Sequence, residues 1–171
     1  NRGTNILIEG NVIEGCRGGG IWLHQDVSIT NVIVRNNIIR HFGTDSTWPW
    51  AGPGFRHNSG NGITFGHGNN MWAYNNLIYN TGNAADPLGD DNCFFVWGDD
   101  RGIGKNFYFY NNTCHLATSE SYGFWTYNVA QDTTAKNNIY SGVNILNRLD
   151  SVGPNNTNTN YITNPIFVNL V

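Results

Sequence analysis

The stretch NVIVRNNIIRH, Asn31 to His41, decides the fold. Its β-branched residues disfavour helix, yet a pair of asparagines, Asn36-Asn37, separates its two apolar runs. The pattern returns without gaps. Asn5 to Gly15 reads NILIEGNVIEG, Asn70 to Asn80 reads NMWAYNNLIYN, Asn106 to Leu116 reads NFYFYNNTCHL, and Asp132 to Gly142 reads DTTAKNNIYSG. A polar residue opens each copy: Asn5, Asn31, Asn70, Asn106, Asp132. An asparagine closes the first run each time: Asn11, Asn37, Asn76, Asn112, Asn138. Four copies carry a second Asn just before it, and the first copy has Gly10. The copies start 26, 39, 36 and 26 residues apart, the period of a solenoid.

A second apolar run follows each Asn block: Gly20 to His24, Gly62 to Gly66, Cys93 to Trp97, Gly123 to Tyr127, and more weakly Val143 to Leu146. A unit thus reads strand, sharp Asn turn, short strand, variable loop, strand. Three short strands per coil of about 22 to 26 residues make a parallel β-helix whose coils stack about 4.8 Å apart. Asparagine tolerates the left-handed backbone of a tight bend. Stacked once per coil, its amide can also hydrogen-bond up and down as a ladder. Asn11, Asn37, Asn76, Asn112 and Asn138 are therefore expected to form one internal column.

Composition agrees with a single packed domain over residues 1–171. The chain holds 29 Asn and 21 Gly, 13% aromatic residues and only 12% charged ones, with net charge −3. The weak charge excludes a basic stripe for nucleic acid. No run of about 18 apolar residues suggests insertion into a membrane. The chain opens in mid-repeat with no signal peptide and no cap, so a fragment or processed piece of a longer β-helix is expected. Cys16, Cys93 and Cys114 lack metal-ligand spacing. Cys114 stands where Ile13, Ile39 and Ile78 stand in other copies, so it reads as a buried thiol serving as a small apolar residue. One disulfide remains open and would leave one thiol over.

From Asn5 to Leu146 the repeat resembles the right-handed parallel β-helix superfamily of pectate lyases, polygalacturonases, alginate lyases and phage tailspikes. The tail NPIFVN, Asn164 to Asn169, resembles the segment that closes many extracellular bacterial members. The resemblance implies an all-β, right-handed, single-stranded solenoid of about five coils. It also implies an extracellular or secreted protein with polysaccharide as partner. Such folds host many chemistries.

Alternating the second strand puts Ile21, Leu23, Ile63, Phe65, Phe94, Val96, Phe124 and Thr126 on one face. Trp22, His24, Thr64, Gly66, Phe95, Trp97, Trp125 and Tyr127 fall on the other. The first set suits the core. The second suggests an aromatic groove for sugar rings, unless the two long insertions cover it. Those insertions, Thr44 to Gly60 and Asn83 to Asp91, enter just before the aromatic strand. Trp48 and Trp50 on the first are expected to wall the cleft. The binding set is thus Trp22, His24, Trp48, Trp50, Phe95, Trp97, Trp125 and Tyr127.

Polar residues gather nearby: Asp90, Asp91, Asp99, Asp100, Arg101, Lys105 and His67. A hydrolase of the polygalacturonase kind would use paired carboxyls. GDD (Gly89 to Asp91) and GHG (Gly66 to Gly68) resemble that family's motifs, but their order is reversed and its Arg-x-Lys is missing. A polysaccharide lyase would bind an acidic sugar through Ca²⁺, with Asp90 and Asp91 as metal ligands and Arg101 or Lys105 as base. The alternative is a non-catalytic stalk, an adhesin or tailspike-like domain, for which the resemblance to tailspikes implies a trimeric oligomer. Asn111-Asn112-Thr113 and Asn155-Asn156-Thr157 match the glycosylation sequon. Neither is expected to be modified, since the first lies in the ladder turn.

Overall fold

The computed structural model describes residues 3–16, 19–23, 29–41, 61–81, 91–97, 104–116, 121–127, 131–142, 145–149 and 157–162. Every regular element among them is a strand. The first coil holds β1 (Thr4–Glu9), β2 (Val12–Glu14) and β3 (Ile21–Leu23). The second holds β4 (Thr30–Arg35), β5 (Ile38–Arg40) and β6 (Asn61–Gly66); the third, β7 (Asn69–Tyr74), β8 (Leu77–Thr81) and β9 (Asp91–Trp97). The fourth holds β10 (Lys105–Tyr110), β11 (Thr113–Leu116) and β12 (Ser121–Tyr127). In the fifth, β13 (Gln131–Ser141) runs through the corner as one strand, followed by β14 (Ile145–Leu149).

Each strand pairs in parallel with its counterpart one coil away. The register is the one the repeat dictates. Ile6 pairs with Val32, Val32 with Met71, Met71 with Phe107, and Phe107 with Thr133. The protein is a parallel β-solenoid. A sixth level begins with β15 (Thr157–Ile162), which pairs with β13. There Asn137 and Asn138 face the single Asn160, between the pairs Lys136 with Thr159 and Ile139 with Tyr161. This copy is one residue short, so a gap-free reading of the sequence stops before it.

The asparagines divide two tasks between them. Asn36, Asn75, Asn111 and Asn137 have φ between 53° and 56°, and Gly10 has φ 69°. The left-handed bend therefore belongs to the first residue of each pair. The second residue builds the ladder. The Nδ2 of Asn11, Asn37, Asn76 and Asn112 donates to Oδ1 of the Asn one coil on at 3.1, 3.0, 3.0 and 2.8 Å. Each backbone N–H donates to the same oxygen. Each later Nδ2 also donates backwards, to Ile8, Val34, Ala73 and Phe109 carbonyls. Asn37, Asn76, Asn112 and Asn138 are at most 2% exposed, and satisfied hydrogen bonds are what makes burying an amide tolerable. The opening residues form a second, outer column: Asn31 donates to Asn5, Asn70 to Asn31 and Asn106 to Asn70. These openers are left-handed as well.

Side-chain size is balanced within the core. Phe109 pairs in register with Ala73 on one side and Ala135 on the other. Its ring fills the space those alanines leave, with centroids 5.1, 5.0 and 5.2 Å from Phe65, Phe94 and Phe124. The same balance governs the step between the first sheet (β1, β2, β4, β5, β7, β8, β10, β11, β13 and β15) and the second (β3, β6, β9, β12 and β14). A Cβ on Gly20 would fall 2.2 Å from Ile39, and one on Gly62 would fall 2.8 Å from Ile78. One level on, Cys93 takes the glycine position and Cys114 the isoleucine position, and the two are bonded as a disulfide. The expected free thiol at Cys114 is thus corrected. Two medium side chains replace a small and a large one, and their sulfurs meet across the core. Cys16 is free.

Candidate functional site

The inward set on the second sheet is as alternation requires. Ile63, Phe65, Phe94, Val96 and Thr126 are fully buried, Phe124 and Ile21 nearly so, and Leu23 partly. The outward set is not a uniform groove. Trp22 is 59% exposed, but Phe95 and Trp125 are only 5% and 6% exposed. Their centroids lie 4.7 Å apart, and Tyr122 packs 5.8 Å from Trp125. Phe95 and Trp125 therefore form a covered satellite cluster, not an open sugar platform, because outward parity does not ensure exposure when other atoms lie over the sheet. Thr64 and Gly66 in the same columns are buried too. His24, Trp48 and Trp50 lie outside the described residues, as do the side chains of Trp97 and Tyr127.

The polar set is scattered or undescribed. Asp90, Asp99, Asp100 and Arg101 lie outside the described residues, and of Asp91 only the backbone, opening β9, is described. His67 is 1% exposed and left-handed, with φ 55°. A Cβ on the next residue, Gly68, would fall 2.1 Å from Met71 and 2.8 Å from the Ile29 carbonyl. The Gly-His-Gly motif here makes a tight, buried corner. Lys105 is exposed, and its backbone N–H donates to Gly68. The backbone thus brings Lys105 and the His67 corner to adjacent levels, but His67 faces no solvent. Among the described residues no three His, Cys, Asp or Glu side chains gather into a metal cluster.

A different set of rings is accessible. On the outward face of the first sheet, Trp72 and Tyr108 pair in register, as do Tyr74 and Tyr110. All four are half-buried. The Trp72 and Tyr108 rings stack 5.5 Å apart at 15°, and Tyr110 lies 5.9 Å from Tyr108. Burial, then the neighbouring Tyr108, raises the pKa of the Tyr110 phenol. Alternation in NMWAYNN and NFYFYNN carries this array in plain view. It is missed by alternating only the second strand of each coil.

Ion pairs border the array. Arg35 Nη1 donates to the Tyr74 hydroxyl at 3.0 Å, and Nη2 donates to Glu9 at 2.9 Å. Its Nε lies 2.8 Å from the other Glu9 oxygen, off the hydrogen-bond direction. The Glu9 hydrogen bond, then that of Tyr74, raises the pKa of Arg35, and Arg35 in turn lowers that of Glu9. Beyond the corner the motif repeats: Arg40 donates to Tyr79 and pairs with Glu14. Lys136, in register with Tyr110, is exposed at the other border. No family model, curated protein or solved structure matches the chain.

Proposed function

We propose that this chain binds polysaccharide, as an extracellular β-helix of the pectate lyase-like or polygalacturonase-like kind. The observation that carries the reading is the array of Trp72, Tyr74, Tyr108 and Tyr110 on two adjacent coils. Half-exposed rings beside phenol hydroxyls offer both apolar contact and hydrogen bonds, the combination an amphipathic sugar requires. The buried Cys93–Cys114 disulfide supports an oxidising compartment. The test is titration of tryptophan fluorescence with soluble oligosaccharides, after a polysaccharide array has selected them. Trp72→Ala together with Tyr108→Ala should weaken binding about tenfold or more, the loss of roughly 1.4 kcal/mol. If no glycan is retained on the array, or the double variant binds unchanged, the reading fails.

Cleavage is a separate matter. Lyase action with Ca²⁺ would show as ultraviolet-absorbing unsaturated product, and hydrolase action as reducing ends without it. A second reading, a non-catalytic structural or adhesin-like domain, draws support from the burial of Phe95, Trp125 and His67. It expects neither product.

A further inference from the structure

We propose that Asn111 is an acceptor site for asparagine-linked glycosylation. The sequon Asn111-Asn112-Thr113 spans the ladder turn, which by itself argues against modification. The ladder, however, uses Asn112 alone. Asn112 is 1% exposed and donates to Asn138 and Ala73. Asn111 is the exposed corner residue, left-handed with φ 53°. Its backbone N–H donates to Lys136, while its carboxamide has no hydrogen-bond partner among the described residues. Asn111 is thus exposed, and its amide is uncommitted among the described residues.

Thr113 is the departure that creates the motif. Its column on the outer face otherwise holds Val12, Ile38, Leu77 and Ile139, all aliphatic. Four of the five copies carry an Asn at this exposed corner, and only this one has a hydroxyl residue two positions on. The disulfide adds an independent observation, since asparagine-linked transfer and disulfide formation share the secretory route. In the transfer, Asn111 Nδ2 forms a bond to the anomeric carbon of a polyprenyl-diphosphate-linked oligosaccharide. The bond from that carbon to the diphosphate oxygen breaks. Polyprenyl diphosphate departs with the electron pair, and the amide loses one proton to the transferase.

The full chain, given a secretion leader and produced in cultured eukaryotic cells, is digested and mapped before and after amidase removal of glycans. We expect most of the Asn111 peptide to be glycosylated, with the acceptor Asn converted to Asp by the amidase. Thr113→Val, which restores the aliphatic column, should abolish modification there without lowering thermal stability. Thr113→Ser should retain it. Asn111→Gly, which copies Gly10, should fold and lack the glycan. Translation with microsomes reads the same shift if secretion is poor. Unmodified Asn111 in the disulfide-bonded wild type, or a glycan persisting there in Thr113→Val, would overturn the proposal.

Discussion

Asn75 and Asn76 are chain neighbours with opposite surroundings. Asn75 stands exposed with φ 55°, whereas Asn76 is 2% exposed and holds Asn37 and Asn112 through its amide. One residue bends the chain and the next locks coil to coil. Side-chain chemistry explains the choice at both. A short carboxamide relieves part of the steric cost of the left-handed region. An amide also combines two donors with an acceptor, so it can pass the ladder to the next coil and bond a backbone carbonyl at once.

The two positions should therefore respond differently to mutation. Asn76→Ala leaves the Asn37 N–H and amide without their acceptor and removes the donor to Val34. At about 1–3 kcal/mol per orphaned buried group, the loss should reach roughly 3 kcal/mol in denaturant unfolding. Asn75→Gly should be near neutral, as Gly10 suggests. Asn75→Val should cost about 1–2 kcal/mol from backbone strain alone. Equal losses at both positions would refute this division.

Phe109→Ala would place alanine on three successive levels, with Ala73 and Ala135. The cavity lies among Phe65, Phe94 and Phe124, and the expected loss is about 3–5 kcal/mol. Phe109→Leu should recover much of it. Calorimetric midpoints of the three proteins decide the matter.

The Cys93–Cys114 bridge closes a segment with a sequence separation of 21. Loop entropy then predicts about 3 kcal/mol of stabilisation. Reductant should lower the melting temperature of the wild type and leave Cys93→Gly with Cys114→Ile unaffected. That pair of changes imitates the Gly62 and Ile78 level and should retain the fold, which circular dichroism would register.

Acid should act on the bridge between the first two coils. Arg35 depresses the Glu9 carboxyl below its ordinary value. Its stabilisation is complete above the unfolded pKa, near 4.3, and fades as pH falls through the lower folded value. Both groups lie at the surface, so the effect is small and sensitive to salt. Glu9→Gln should flatten the melting-temperature profile in that acid range. An unchanged profile would show that the pair adds nothing.

Much of the architecture could be read directly, because a stacked fold makes register and repeat the same thing. Asn37 lies under Asn76 since their copies align. The bend was harder to place, because both members of each Asn pair are suited to it. Gly10 was the clue, standing at the bent position and not at the ladder. The disulfide needed two columns to be compared at once: Cys114 among isoleucines and Cys93 among Gly20, Gly62 and Gly123. The site was least legible. Outward parity placed Phe95 and Trp125 correctly on the strand, but burial depends on what covers the sheet, which strand periodicity does not encode. The Trp72 and Tyr108 pair was readable by the same rule, applied to the other sheet.

The glycine–isoleucine and cysteine–cysteine levels occupy one slot in alternative ways, which makes that slot exchangeable. Replacing Gly62 and Ile78 with cysteines would graft the existing staple onto a neighbouring storey. A scaffold built this way could be reinforced floor by floor, with its outer wall left untouched for recognition.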